Sequence, residues 1–188
     1  ATKKKVFFIT VDDGYTKQQA ALDYIAARRL PVTTFLTRAA VNGEWGYFKK
    51  FSAYDAVQNH SMTHKALSLS TTNKDYEICE AQRLYAAKYG VRPWILRPPY
   101  GAGFMPERST APAIKAVAAS CGIKDVALWN VTVSAAGKVS YASGGKLEAG
   151  DIVLMHFEGD VARNLKKIVA LGQAQGLTPA SLSAFLPR

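Results

Sequence analysis

Two neighbouring carboxylates, Asp12 and Asp13, close an apolar run and are followed by Gly14. Far downstream His60 and His64 stand four residues apart, and the third histidine, His156, ends another apolar run. Such residue types suit cation binding and proton transfer. Consecutive strand side chains point to opposite faces, so both aspartates reach one pocket only at a strand end or sharp turn. There, one acid can hold a cation while the other stays free to move a proton. On a helical turn, imidazoles four apart lie on the same side and can share one ion. Two histidines with one aspartate make a borderline site that suits zinc, with cobalt or nickel as substitutes. Singly each signal is weak, since an Asp-Asp-Gly is also an ordinary solvated turn and structural histidines are common.

Arg97 precedes Pro98-Pro99-Tyr100-Gly101. Its planar, permanently charged guanidinium can fix the orientation of a carboxylate. The two prolines remove two backbone donors and stiffen the turn, leaving the Tyr100 N–H available to a ligand. The plain alternative is a proline turn with a surface arginine.

The elements that must position these groups alternate. Val6 to Val11 reads as a buried strand. Thr16 to Arg29 has helical spacing at Ala21, Leu22, Ile25 and Ala26, with Thr16 as a cap candidate and Pro31 as the stop. Val32 to Leu36 reads as a second strand, which suggests a right-handed parallel unit. Residues 39–54 are irregular and aromatic; most of these rings are expected to pack down, with Trp45 and Tyr47 kept as groove candidates. Further strands are expected just before Val57, at Trp94 to Leu96, Asp125 to Asn130 and Ile152 to Phe157. Further helices are expected at Lys74 to Tyr89, Pro112 to Ser120 and Val161 to Gln175. Thr178-Pro179 looks like a cap with proline at the first helical position, opening a last helix to Phe185. Such alternation means α/β with a parallel sheet or barrel, whose strand C-terminal ends share one face. The aspartate pair and all three histidines could meet there.

The 188 residues fit one domain, with 48% hydrophobic and 20% charged residues arguing against disorder. No apolar run approaches the roughly 20 residues that span a bilayer, and no apolar signal core precedes the first strand. The net charge of +10 favours polyanionic surroundings. Apart from Lys3 to Lys5 the basic residues are dispersed and accompany no nucleic-acid motif, so nucleic acid is not the expected partner. Cys79 and Cys121 are either buried thiols or a single disulfide.

In order, Thr10-Val11-Asp12-Asp13-Gly14, His60-Ser61-Met62-Thr63-His64, Arg97-Pro98-Pro99-Tyr100-Gly101 and Leu154-Met155-His156 resemble the motifs of the NodB-homology polysaccharide deacetylases, carbohydrate esterase family 4. The resemblance runs from Val6 to His156 and implies a distorted (β/α)7-type barrel, with residues 1–188 as a single catalytic domain. It implies a divalent metal, zinc before cobalt or nickel, on Asp13, His60 and His64. Asp12 would be the general base, oriented by Arg97, and His156 the general acid. Leu154 would line the pocket for the acetyl methyl beside Pro98, and the Tyr100 N–H would join the metal in stabilising the oxyanion. The implied reaction is hydrolysis of N-acetyl groups on a polysaccharide containing N-acetylglucosamine, peptidoglycan or chitin-like, by a metal-activated water. An acetyl xylan esterase would use the same machinery, and a catalytically weak carbohydrate-binding relative is the rival of another class. The expected chain is secreted and monomeric, acts on acetylated polysaccharide and has no membrane span. Export would favour a Cys79–Cys121 disulfide.

Two departures stand out. The family's fourth motif usually carries acids beside a tryptophan, whereas Trp129-Asn130-Val131-Thr132-Val133-Ser134 has none, and Phe157 follows His156 where an Asp is frequent. The supports of Arg97 and His156 are therefore altered, and Trp129 is open between pocket wall and core.

Overall fold

A computed structural model describes residues 4–106 and 108–186. The first strand, β1 (Val6–Asp13), is buried along nearly its whole length and lies at the middle of the sheet. Parallel neighbours flank it: β2 (Val32–Leu36) on one side and β8 (Ile152–His156) on the other. Beyond β2 follow β3 (Val57–Asn59), β4 (Ile95–Leu96) and β5 (Asp125–Val126), all parallel. Beyond β8 follow β6 (Val131–Val133) and, antiparallel to it, β7 (Val139–Tyr141). A ninth strand, β9 (Thr178–Ala180), pairs the start of β1 in parallel.

The sheet curls into a half-barrel, and one side chain shows why it must. Arg97 lies just after β4, three strands from β1, which is about 14 Å in a flat sheet, yet its guanidinium bonds Thr10 and Asp12 directly. Strand alternation sorts the two faces. Phe7, Ile9, Val11, Val153, Met155 and Phe157 belong to the outer core cluster. Helices α1 (Gln19–Arg28) and α6 (Val161–Ala174) bury Leu22, Ile25, Leu165 and Ile168 in that cluster. Phe8, Thr10, Asp12, Leu154 and His156 occupy the alternate positions and face the barrel interior. Phe8, Phe35, Trp94, Ile95 and Leu182 form an apolar floor, leaving the polar groups at the strand C-terminal ends.

Several local expectations change. Thr16 is not a cap: Gln18 precedes α1, and the Thr16 hydroxyl donates to the Phe157 carbonyl at 2.6 Å, tying the β1–α1 turn to the end of β8. The aromatic stretch forms α2 (Arg38–Val41), α3 (Trp45–Lys49) and a 3-10 turn, and both groove candidates pack down. Trp45 lies against Tyr85 and Tyr89 of α4 (Ala81–Tyr89), and the Tyr47 hydroxyl bonds the backbone of Gln18. Between Asp125 and Asn130 only the first two residues are strand, and the β6–β7 hairpin was not expected.

The terminal helix is absent. Pro179 sits instead in β9, which continues the β2 edge of β1 and pairs on one side only, where a residue without an N–H is tolerated. The chain after β9 is held by Asp55, whose carboxylate accepts from the hydroxyls of Thr33, Ser181 and Ser183. Cys79 and Cys121 are bonded, with Cα atoms 5.3 Å apart and 42 residues of separation. Closing a loop of that length in the unfolded chain is worth about 4 kcal/mol in the chain-entropy treatment. Among the described residues no helix is long and apolar enough to cross a membrane.

Candidate active site

Asp12 and Asp13 end β1 and reach the same pocket because Asp13 adopts a left-handed backbone, φ 76°. That twist overrides the alternation that would separate them: His60 Nε2 lies 3.7 Å from Asp12 Oδ2 and 3.4 Å from Asp13 Oδ1. Gly14 completes the turn at φ 104°, where a Cβ would press on Val41 and Phe48 at 3.1 and 3.2 Å.

His60 and His64 do not lie on a helix. They bracket a turn in which Ser61 and His64 are left-handed, φ 76° and 61°, and the turn is bound on all sides. The Asn59 side chain accepts from the Ser61 N–H, Thr37 donates to the His60 carbonyl, and the Ser61 hydroxyl accepts from the His64 N–H. Buried Glu77 takes the Thr63 N–H at 2.9 Å. Of the six non-glycine residues with positive φ among those described, Asp13, Ser61, His64 and Tyr100 surround this pocket. Backbone strain of that kind persists only where the surroundings over-determine it.

The three donor atoms meet closely. His64 Nε2 is 3.2 Å from both Asp13 Oδ1 and His60 Nε2. Each imidazole has its other nitrogen engaged, His60 Nδ1 with the Arg97 carbonyl at 2.6 Å and His64 Nδ1 with the Tyr100 hydroxyl at 3.0 Å. If His60 Nδ1–H donates to that carbonyl, its Nε2 presents a lone pair to the centre. Asp13 Oδ1 is buried there and, among the described residues, receives no well-aligned hydrogen bond, although both imidazole Nε2 atoms face it. Burial pushes the Asp13 carboxyl up, but the His60 and His64 imidazoles facing it outweigh that and hold the group well below the usual carboxylate range. Lone pairs this close repel unless a cation lies among them. Edges of 3.2 to 3.4 Å match a tetrahedron of roughly 2 Å zinc bonds, whose edges are about 3.3 Å. Asp13, His60 and His64 thus fit a divalent ion.

Beneath Asp12 lies Arg97, wholly shielded from water. Its Nη1 donates to Asp12 Oδ1 at 2.8 Å and to the Thr10 hydroxyl at 2.6 Å. Nε and Nη2 donate to the Ala127 and Leu128 carbonyls, and the Phe35 ring lies 4.1 Å from the guanidinium carbon. Burial lowers the Arg97 pKa, and the Asp12 charge and hydrogen bond oppose it. Two backbone carbonyls therefore occupy the Nε and Nη2 donors of Arg97, on the side away from Asp12. Thr10, which passes its own proton to the Val153 carbonyl, was missed in the sequence. It was findable there as the one polar residue inside an apolar run, two positions before Asp12 on the same face.

His156 ends β8 directly beside Asp12 in register and is half-buried, and its imidazole has no protein hydrogen-bond partner among the described residues. Leu154 lies one inward position below it, buried. Trp129 is half-buried beside Arg97 and Gly101. Pro98 is buried, and its carbonyl takes the Gly101 N–H at 2.9 Å. Tyr100 is left-handed and 66% exposed. The Gly101 and Ala102 amides turn back to the Pro98 and Pro99 carbonyls, while the Tyr100 amide makes no such return.

Residues 1–126 match the family model described as polysaccharide deacetylase. An uncharacterised protein of Streptomyces coelicolor is 33% identical over 192 residues, covering 98% of this chain and 74% of that protein. A family 4 carbohydrate esterase from Streptomyces lividans, solved with acetate, superposes with a TM-score of 0.75 at 23% identity, over 95% of this chain and 93% of that one. A family pseudoenzyme from Bacillus anthracis gives 0.75 at 19% identity, over 98% and 66%.

Proposed function

The chain belongs to the polysaccharide deacetylase family, and from that premise we propose that it is a metal-dependent hydrolase removing N-acetyl groups from a polysaccharide containing N-acetylglucosamine, of peptidoglycan or chitin type. The carrying observation is the convergence of Asp13, His60 and His64 within 3.4 Å, with Asp12 alongside and braced by Arg97. A divalent ion bound there, zinc for this donor set, would supply a Lewis acid and lower the pKa of a coordinated water toward ~7.

The rest is done by the chain's own groups. Asp12 takes the proton from the attacking water; Arg97 keeps its carboxylate aimed. The Tyr100 N–H donates to the oxygen on which charge develops. Half-buried His156 gives a proton to the departing amine. Leu154, buried one inward position below it, lines the space for the methyl group, with Trp129 and Pro98 as further walls. The disulfide supports an oxidising compartment, and hence export.

A pseudoenzyme shares this fold, so the fold does not separate hydrolase from binding relative. Acetate release from chitooligosaccharides and from acetylated xylan, with and without zinc, separates them. Zinc-dependent release from chitooligosaccharides, abolished by Asp12→Asn, is expected. Release from xylan alone makes the chain an ester hydrolase, and binding without any acetate makes it a binding relative.

A further inference from the structure

Four carboxylates are buried among the described residues: Asp12, Asp13, Glu77 and Asp151. A buried carboxylate is costly unless donors or a cation satisfy it. Asp12 and Asp13 belong to the site, and Asp151 takes the Asn130 side chain and the Glu148 N–H. Glu77 makes no ion pair with the described residues, and both of its oxygens turn to Thr63, the residue before His64. Oε2 accepts the Thr63 N–H at 2.9 Å and Oε1 accepts the Thr63 hydroxyl. Thr63 is itself exposed, so packing does little to hold it. The backbone beside Glu77 holds the rest of the turn. Its carbonyl accepts the Met62 N–H at 3.1 Å, and the Ile78 carbonyl accepts from the Asn59 side chain at 3.0 Å.

These residues lie on Asp75–Glu80, a π-helical turn that leads into α4. Turns of that kind are rare and gather at functional sites. An α-helical turn spreads three consecutive side chains over about 200°, yet Glu77, Ile78 and Cys79 are all buried here. Ile78 packs with Ile114 and Ala118 of α5 (Ala111–Ser120), and Cys79 is bonded to Cys121 just after that helix. The wide turn is thus anchored in the core and by a covalent bond while its carboxylate reaches Thr63.

We propose that Glu77 is a positioning residue for the metal centre: through Thr63 it holds the left-handed backbone of His64, so that the imidazole meets His60 and Asp13, and thereby sets the affinity for the ion. This rests on the metal reading of the site and not on the reaction. Groups that orient a metal ligand from behind are worth about 10- to 100-fold in metal affinity. Glu77→Ala should therefore weaken zinc, titrated by calorimetry into the chelator-treated chain, by about that factor. The visible bands of bound cobalt, which follow ligand geometry, should shift. Glu77→Gln can still accept the Thr63 N–H and donate its amide to the hydroxyl, and should recover most of the affinity and of the cobalt spectrum. Thr63→Val, isosteric and at an exposed position, keeps the N–H and loses the hydroxyl. It should weaken zinc by about 3- to 10-fold, and Thr63→Ser should restore binding. Thermal melts of the metal-free chains check folding; if Glu77→Ala does not fold, the Thr63 pair carries the test. Wild-type affinity in a folded Glu77→Ala, or in Thr63→Val, overturns the proposal and leaves the metal reading. Glu77→Gln as weak as Glu77→Ala, or Thr63→Ser as weak as Thr63→Val, overturns it too, because charge or packing is then the cause. A wild-type chain that takes up neither zinc nor cobalt overturns the proposal and the metal reading together.

Discussion

Asp12 Oδ1 lies 2.8 Å from Arg97 Nη1 at the bottom of the pocket, and both side chains are sealed from solvent. An ion pair this buried has a large cost of separation, because either partner left alone is an uncompensated charge in a poor dielectric. The same contact that steadies the fold therefore aims the carboxylate proposed as base.

Asp12→Asn tests both halves. Acetate release should fall about 100- to 10,000-fold, as for loss of a proton acceptor, while zinc titration by calorimetry stays near the wild-type affinity. Urea unfolding should show a loss of about 3 kcal/mol from the stranded Arg97. Near-normal turnover would remove Asp12 from the chemistry.

Thr10 reaches the site through Arg97, while its own proton goes to the Val153 carbonyl, so its substitution should separate positioning from chemistry. Thr10→Val leaves the guanidinium one acceptor short, at about 1–3 kcal/mol, and should lower kcat with little change in KM. Thr10→Ser restores the hydroxyl and should recover most of the loss. A Ser variant as slow as the Val variant would show that packing at this position, not the hydrogen bond, matters.

Zinc at a hundredfold excess over its Kd should stabilise the chain by about 2.7 kcal/mol against a chelator-treated sample. His64→Ala should abolish that shift in a thermal melt while leaving the chain folded, since His64 lies at the rim and His60 is buried beneath it. An unchanged shift in the variant would place the ion elsewhere.

Alkaline stability reports on Tyr85 and Tyr89. Burial raises both phenols, Tyr85 further with the neighbouring Tyr89. The unfolded chain starts to lose these protons near pH ~10, while the folded chain keeps them. Stability is thus fully present below pH ~10 and declines as pH climbs toward the folded values. Tyr89, whose buried hydroxyl has no hydrogen-bond partner among the described residues, should become Phe at no cost near neutrality, and Tyr89→Phe should flatten the decline measured by urea unfolding between about pH 9 and 11, roughly one unit either side of the ordinary tyrosine value. An identical decline would mean that Tyr89 titrates normally.

Much of the scaffold was legible because its signals are local. The apolar run from Val6, the helical periods of α1 and α6, and the proline turn after Arg97 each depend on neighbours a few residues away. Pro179 misled for the same reason: a Thr-Pro pair suits a helix start, and only the free edge of β1 made a strand the better use of it. Trp45 and Tyr47 could not be assigned from their spacing, since whether an aromatic packs or projects depends on what lies beneath it.

The linear pattern by itself determined the residue types at the strand ends, their order and the family they belong to, because side-chain chemistry and local period are written in the chain. Tertiary structure alone decided that Asp13 turns left-handed to join Asp12, and that His60 and His64 meet across a strained turn rather than along a helix. It alone decided that Arg97 finds its missing partners in the Ala127 and Leu128 carbonyls. Those outcomes depend on the curl that brings β4 opposite β1, and curl is a sum over every packed neighbour, which no single stretch of sequence contains.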